Sequence, residues 1–275
     1  MSEEGMFIPA DRLPPGFAER IGNEAAEIAI PHPAATTVLL RDSDRGLEVL
    51  LMRRNRSAGF VPGAYVFPGG RVDPADTNLA DLRGGAAPTS PPAPYWIAAL
   101  RELFEEAGVL LARSVAGEYA PDVRDAAMAD AREALLGDRT SIAQVLADLG
   151  LEPAFDRMMP FAHWITPIAE PRRFDTQFFL AALPPDRAAR ADAREMSDAL
   201  WLSPVDALDR FRAGRLPMVF PTVRSLESIV PYSSVEAALE AFRGRLLTPV
   251  LPRLVRVEDG VALVVDEPEE KNDGE

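Results

Sequence analysis

The sequence predicts an α/β protein of the α+β kind, and three of its features say so. Two β-branched and aliphatic runs, residues 36–41 and 47–54, flank a polar turn at 42–46, the pattern of a β-hairpin. From Pro94 the chain reads PYWIAALRELFEEAGVLLA, with Ile97, Leu100, Leu103 and Phe104 at three-to-four spacing and no breaker before Gly108, which is an amphipathic helix. Two more helical patterns, 122–136 and 141–149, follow before strand-like sequence returns, so they form a helical insertion.

In chain order, residues 1–33 are punctuated by proline and read as an N-terminal arm, irregular but for a helical stretch around 16–26. The hairpin leads to Tyr65, Val66 and Phe67, then to Pro68-Gly69-Gly70, a tight turn. Residues 78–94, rich in Gly, Pro, Ala and Ser, form a loop. After the central helix and the insertion, which spans about residues 120–160, strands are expected at 163–166 and 174–183. Ser203-Pro204 opens a short helix to about Arg212, and residues 222–230 and 235–243 are helical. The main domain covers 34–255, and residues 256–275 hold a late strand at 261–265 and an acidic tail. No internal repeat has a fixed period.

Composition excludes several functions. Zero cysteines rule out disulfides and thiolate catalysis, and the only histidines, His32 and His163, leave a metal to be held by oxygen ligands, which suits Mg²⁺ or Mn²⁺. A net charge of −14 opposes binding to a nucleic-acid polymer. No run approaches the roughly 18 apolar residues of a membrane span, and the acidic start MSEEGMFIPA is unlike a secretory signal, so a cytoplasmic protein is expected. Lys271 is the only lysine; 28 of the 29 basic residues are arginine, the side chain suited to gripping phosphate in a fork.

Glu102, Glu105 and Glu106 lie three and four apart, on one helical face. Three like charges there repel, and a hard divalent cation is their natural neutraliser. Arg101 stands at i, i+4 from Glu105, where an ion pair would fix that side chain. The apolar face packs and the acidic face is expected to be free.

Together, Gly70-x5-Asp76 and Arg101-Glu102-Leu103-Phe104-Glu105-Glu106-Ala107-Gly108-Val109 resemble the Nudix box, G-x5-E-x7-R-E-U-x-E-E-x-G-U with U bulky and aliphatic. Asp76 replaces the first Glu, and 24 residues, 77–100, stand where the box has seven, so Asp76 is given no metal role. The interrupted box, VFPGG, the insertion, HWITP, RRFDTQFF and Trp201-Leu202-Ser203-Pro204 are similar to the Nudix branch containing the peroxisomal coenzyme A diphosphatases and their bacterial relatives. The resemblance covers roughly residues 34–255. It implies a Nudix fold, a mixed β-sheet between helices with the insertion after the Nudix helix. It also implies catalysis by Glu102, Glu105, Glu106 and Arg101, with metal held by Glu102, Glu105, Glu106 and the Gly70 carbonyl.

The implied reaction is Mg²⁺- or Mn²⁺-dependent hydrolysis of the diphosphate of coenzyme A or an acyl-coenzyme A. Alternatives are the same chemistry on ADP-ribose, NADH or another nucleoside diphosphate conjugate, and a non-catalytic nucleotide-binding domain. The expected partner is a small nucleotide-type substrate, and a homodimer is allowed. Arg53 and Arg54, with Arg56 beside them, and Arg172 and Arg173 are candidate contacts for substrate phosphates, including a 3′-phosphate; Glu195 and Asp198 are placed in a loop that supplies an extra carboxylate in some Nudix enzymes. Trp96, Phe104 and Trp201 are assigned to the core. By its position, the insertion is expected to flank the cleft and help select substrate.

Overall fold

A computed structural model describes residues 6–13, 17–22, 28–55, 62–77 and 90–265. In chain order its elements are β1 (Met6–Pro9), α1 (Phe17–Arg20), β2 (His32–Ser43), β3 (Gly46–Arg54), β4 (Tyr65–Val66), β5 (Gly69–Arg71), α2 (Ala93–Ala107), β6 (Ala112–Ser114), α3 (Ala126–Leu136), α4 (Ile142–Leu149) and β7 (Leu151–Pro153). They continue with β8 (Met158–Ile165), β9 (Phe174–Ala182), β10 (Met196–Leu202), α5 (Pro204–Arg212), α6 (Phe220–Ile229), α7 (Val235–Phe242), β11 (Arg253–Val257) and β12 (Gly260–Val264). Most of the loop expected at 78–94, part of the helical stretch at 16–26, Arg56 and the acidic tail lie outside the described residues.

The chain divides into two compact units. The larger, Pro33–Ala162 with Thr176–Leu247, is built on a seven-stranded sheet of order β10-β3-β2-β9-β8, with β4 paired to β3 and β5 to β2. The hairpin read from the sequence is β2–β3, in which Arg41 faces Glu48 and Ser43 faces Gly46. β3 is buried on both faces from Leu47 to Met52, as a strand sandwiched between layers must be. α2 covers one face: Ile97, Leu100, Leu103 and Phe104 are sealed from solvent among Leu39, Leu50, Met52 and Phe179. Each such side chain contributes about 1.5–3 kcal/mol through burial, so this stripe fixes the helix on the sheet. α5 contacts β3 and β10.

α2 stops where the sequence says it must. Gly108 adopts φ 69°, and its N–H donates to the carbonyls of Leu103 and Phe104, a left-handed cap that a side chain would strain. In the insertion, Asp125 caps α3 through the amides of Ala127 and Met128, so that helix begins at Ala126 rather than at 122. Ser141 and Gly150 bound α4.

The smaller unit comprises Met1–His32, His163–Asp175 and Thr248–Glu275. Its three-stranded antiparallel sheet has the order β1-β12-β11, with Met6 opposite Leu263 and Pro9 opposite Gly260. The arm read as irregular thus forms a strand, because its partner lies more than 250 residues away and no local pattern marks it. β6, β7 and β11 were missed for the same reason: each is short and held by pairing rather than by alternation. β8 begins at Met158, inside the stretch assigned to the insertion.

Candidate active site

The site begins with two glycines. β5 brings Gly69 and Gly70 beside β2, opposite Thr36 and Ala35. A side-chain carbon at Gly69 would stand 2.5 Å from the Ala35 carbonyl, and one at Gly70 would stand 2.4 Å from Glu102 Oε1, so the turn can approach α2 only as glycine. The Gly69 amide donates to Glu106 Oε2 at 2.8 Å. Gly70→Ala should therefore retain the fold, since the obstacle is the end of a side chain, and should lower turnover by about tenfold or more through displacement of Glu102. Melting curves beside rates test this, and unchanged turnover would show that Glu102 does not need its present position.

Arg101 gathers the carboxylates. Its Nε and Nη2 donate to the two oxygens of Asp76 at 3.0 and 2.9 Å, and its Nη1 donates to Glu102 Oε1 at 2.8 Å and Glu105 Oε2 at 3.0 Å. Nη2 also reaches the Arg71 carbonyl at 2.8 Å. Asp76 is fully buried and accepts from the Asp73 amide, so it closes in space the box that 24 residues interrupt in sequence. The i, i+4 pair of Arg101 and Glu105 forms as the spacing suggests.

The acidic face is not free, contrary to the sequence reading. Glu106 is buried, and Glu102 and Glu105 are nearly so, because the glycine turn and the Asp76 loop pack over them. Burial pushes the Glu102 carboxyl up to about 7; Arg101 opposes the shift and the charge of Glu105 adds to it. Glu106 is held well above the ordinary carboxylate range by burial and then by the charge of Glu102 and Glu195, against the Gly69 amide and Arg54. Glu105 is raised by burial and by Asp76 and Glu195, with Arg101 again opposing. Burial disfavours the charge on Arg101, but Asp76, Glu102 and Glu105 outweigh it and hold the proton more firmly than usual.

Among the described residues, no three acidic or histidine side chains already converge as a ligand set. The chemistry of the donors nevertheless fits a hard cation: Asp76, Glu102 and Glu105 share one guanidinium, Glu106 has one amide, and all the ligating atoms are oxygen.

Alternation along β3 separates two arginines that the sequence grouped. Arg54 lies close enough to Glu106 to oppose its shift, and its buried Nε has no hydrogen-bond partner among the described residues. Arg53 lies over the Tyr65 ring at 5.8 Å and donates to the Gly63 carbonyl at 3.3 Å, while Tyr65 donates to Asp198 at 3.0 Å. Register puts Asp198, Arg53 and Tyr65 in one row across β10, β3 and β4, so Asp198 is on a strand rather than in a loop. Glu195, just before β10, is the loop carboxylate whose charge reaches Glu105 and Glu106.

Arg172 and Arg173 belong to the smaller unit. Arg172 is exposed, whereas Arg173 is buried and donates to the carbonyls of Thr166 and Ala29 at 3.0 and 2.9 Å. His163 there pairs with Asp175 at 2.5 Å. Trp96 and Phe104 are core residues, and Trp201 is half-buried under the Arg41 guanidinium. Sequence reasoning missed the Gly69 amide, the grip of Asp76 on Arg101, and Arg132 of α3, whose guanidinium donates to the Glu105 carbonyl. None of these contacts has a local signal beyond the conspicuous Gly-Gly pair.

Comparison with known proteins agrees with this geometry. Residues 91–229 match the family of the NUDT19 Nudix domain. The chain is 31% identical over 193 residues to putative nudix hydrolase 7 of Caenorhabditis elegans, an alignment covering 70% of this chain and 58% of the relative. Similar relatives include the acyl-coenzyme A diphosphatase NUDT19 of Gallus gallus, 29% identical over 68% of this chain and 62% of the relative, and that of Homo sapiens, 28% identical over 78% and 70%. The chain thus spans about three-fifths of the length of the first two curated relatives. In structure it is similar to a NUDIX hydrolase from Alicyclobacillus acidocaldarius, with a TM-score of 0.65 and 32% identity over 78% of this chain and 97% of that one. The glycine turn closed on a glutamate helix, the family match and this structural likeness lead to one conclusion: the chain belongs to the Nudix hydrolases.

Proposed function

We propose that the chain hydrolyses the diphosphate of coenzyme A or an acyl-coenzyme A in the presence of Mg²⁺ or Mn²⁺, giving 3′,5′-ADP and a phosphopantetheine product. The observation that carries the reading is the surplus of buried negative charge around Arg101, with the unsatisfied N–H of Arg54 beside it. Glu102, Glu105, Glu106 and the Gly70 carbonyl would hold the cation. When bound, it neutralises the diphosphate and lowers the pKa of the attacking water.

The chain's own groups set the geometry. Arg101 orients Glu102 and Glu105, and the Gly69 amide orients Glu106. Arg54 offers its open donor to a phosphate oxygen. Arg53, Arg172 and Arg173 are assigned to the remaining anionic groups, with Arg172 the most exposed of them. The names of the chicken and human relatives favour coenzyme A over other nucleoside diphosphates. The reaction belongs to residues 34–255 and is placed in the cytoplasm.

Incubation with Mg²⁺ and coenzyme A, an acyl-coenzyme A, NADH or ADP-ribose, followed by chromatography, tests the reading. The expected products are 3′,5′-ADP and a phosphopantetheine from the first two, none from any substrate in EDTA, and recovery on adding Mn²⁺. Faster cleavage of ADP-ribose or NADH would reassign the substrate. Full turnover in metal-stripped buffer would overturn the metal mechanism.

A further inference from the structure

Arg132 projects from α3, in the insertion, onto the C-terminal end of α2. Its Nε and Nη2 donate to the Glu105 carbonyl at 3.0 and 2.7 Å, and Nη2 also reaches the carbonyls of Glu106 and Arg190, each at 3.0 Å. The carbonyls of Glu105 and Glu106 are among the last of the helix, which lack partners within it. The neighbouring Glu133 pairs through both oxygens with Arg194, at 2.8 and 2.6 Å. Two consecutive residues of α3 therefore grip both ends of the segment 190–194.

That segment is also tied to α2 and β3 through its backbone. The amides of Arg190 and Asp192 donate to the carbonyls of Ala107 and Glu106 at 2.7 and 2.9 Å. Asn55, directly after β3, donates from its side chain to the Arg194 carbonyl at 2.7 Å and from its amide to the Glu195 carbonyl at 2.9 Å. Glu195 is thereby fixed between the end of the glutamate helix and the end of the strand carrying Arg54.

We propose that Arg132 and Glu133 are positioning residues, which lock the segment bearing Asp192 and Glu195 onto the end of the glutamate helix. The insertion then sets the geometry of the site carboxylates rather than choosing the substrate, an inference that rests on the proposed Nudix chemistry. All four Arg132 bonds go to main-chain carbonyls, so their loss moves backbone, and a displacement near 1 Å at a reacting centre lowers rate by about 10²-fold. The pair of Glu133 and Arg194 is half-exposed and adds little to stability by itself, so an effect of reversing it on rate is diagnostic.

The test compares wild type with Arg132→Gln, Glu133→Arg, Arg194→Glu and the double variant E133R/R194E, by steady-state kinetics on whichever substrate the panel shows to be cleaved. Hydrogen exchange of the metal-free proteins is measured in parallel. Arg132→Gln is expected to lower kcat by about tenfold or more with KM within about twofold, and to speed exchange only in residues 104–110 and 188–196. Each single charge reversal should lower kcat, and the double reversal should restore it. A raised KM with kcat unchanged, or a lowered Tm with kcat retained, would overturn the proposal. If Arg132→Gln does not fold, the charge-reversal series decides alone. If wild type cleaves nothing, the functional reading fails and exchange decides the positioning role: local acceleration supports it, and none sinks it.

Discussion

Glu106→Gln and Glu105→Gln should each lower turnover by about 10²-fold or more, because each removes a carboxylate from the oxygen set proposed to act on transition-state charge. Stability should move the other way. Glu106 is buried beside Glu102, and its charged form is disfavoured by burial and by that neighbour, so the metal-free Gln variant should melt no lower than wild type. The pH dependence carries the same sign. Glu102 has an ordinary value of 4.5 and a folded value of about 7, so between these the folded state keeps a proton that the unfolded chain releases. Metal-free stability therefore falls as pH rises through that window, and Glu102→Gln should flatten the fall. Glu118, exposed and outside the cluster, is the control. Near-normal rates in both the Glu105 and Glu106 variants would remove the site; a large drop in metal-free Tm would make these carboxylates structural.

Asp76→Ala should have the largest effect on stability, about 3 kcal/mol. Asp76 is fully buried, binds Arg101 through both oxygens and accepts an amide, so its removal strips Arg101 of its strongest anchor. Glu102 and Glu105 remain on the guanidinium and limit the loss. Turnover should fall as well, since an unanchored Arg101 would settle further onto those two carboxylates. Urea melts and Mg²⁺ titrations separate the roles: weakened Mg²⁺ affinity with unchanged stability would make Asp76 a ligand.

The parts legible in the sequence were those with local cause. Spacing of Ile97, Leu100, Leu103 and Phe104 gave α2, Gly108 gave its end, and β-branched runs gave β2 and β3. The glutamates were legible as a cluster, but their burial was not, because it comes from a glycine turn some thirty residues earlier. Asp76 was left without a role since sequence distance hid its contact with Arg101. Arg53 and Arg54 were adjacent letters with one presumed task, and only strand pairing showed that they face opposite ways.

β3 carries one more consequence. A strand with one wet face declares its alignment by alternation, but from Leu47 to Met52 this one is dry on both, so a slip by one residue would exchange apolar groups for apolar groups. Greasy contacts alone would hardly notice. What would notice is Glu48, sealed from water yet bonded to Arg41 and Arg45, which a slip would turn toward the side without them. Tyr65 and Asp198 would lose each other in the same step. The misaligned state is thus penalised by a few polar groups, and these proofread the pairing that puts Arg54, rather than Arg53, beside Glu106.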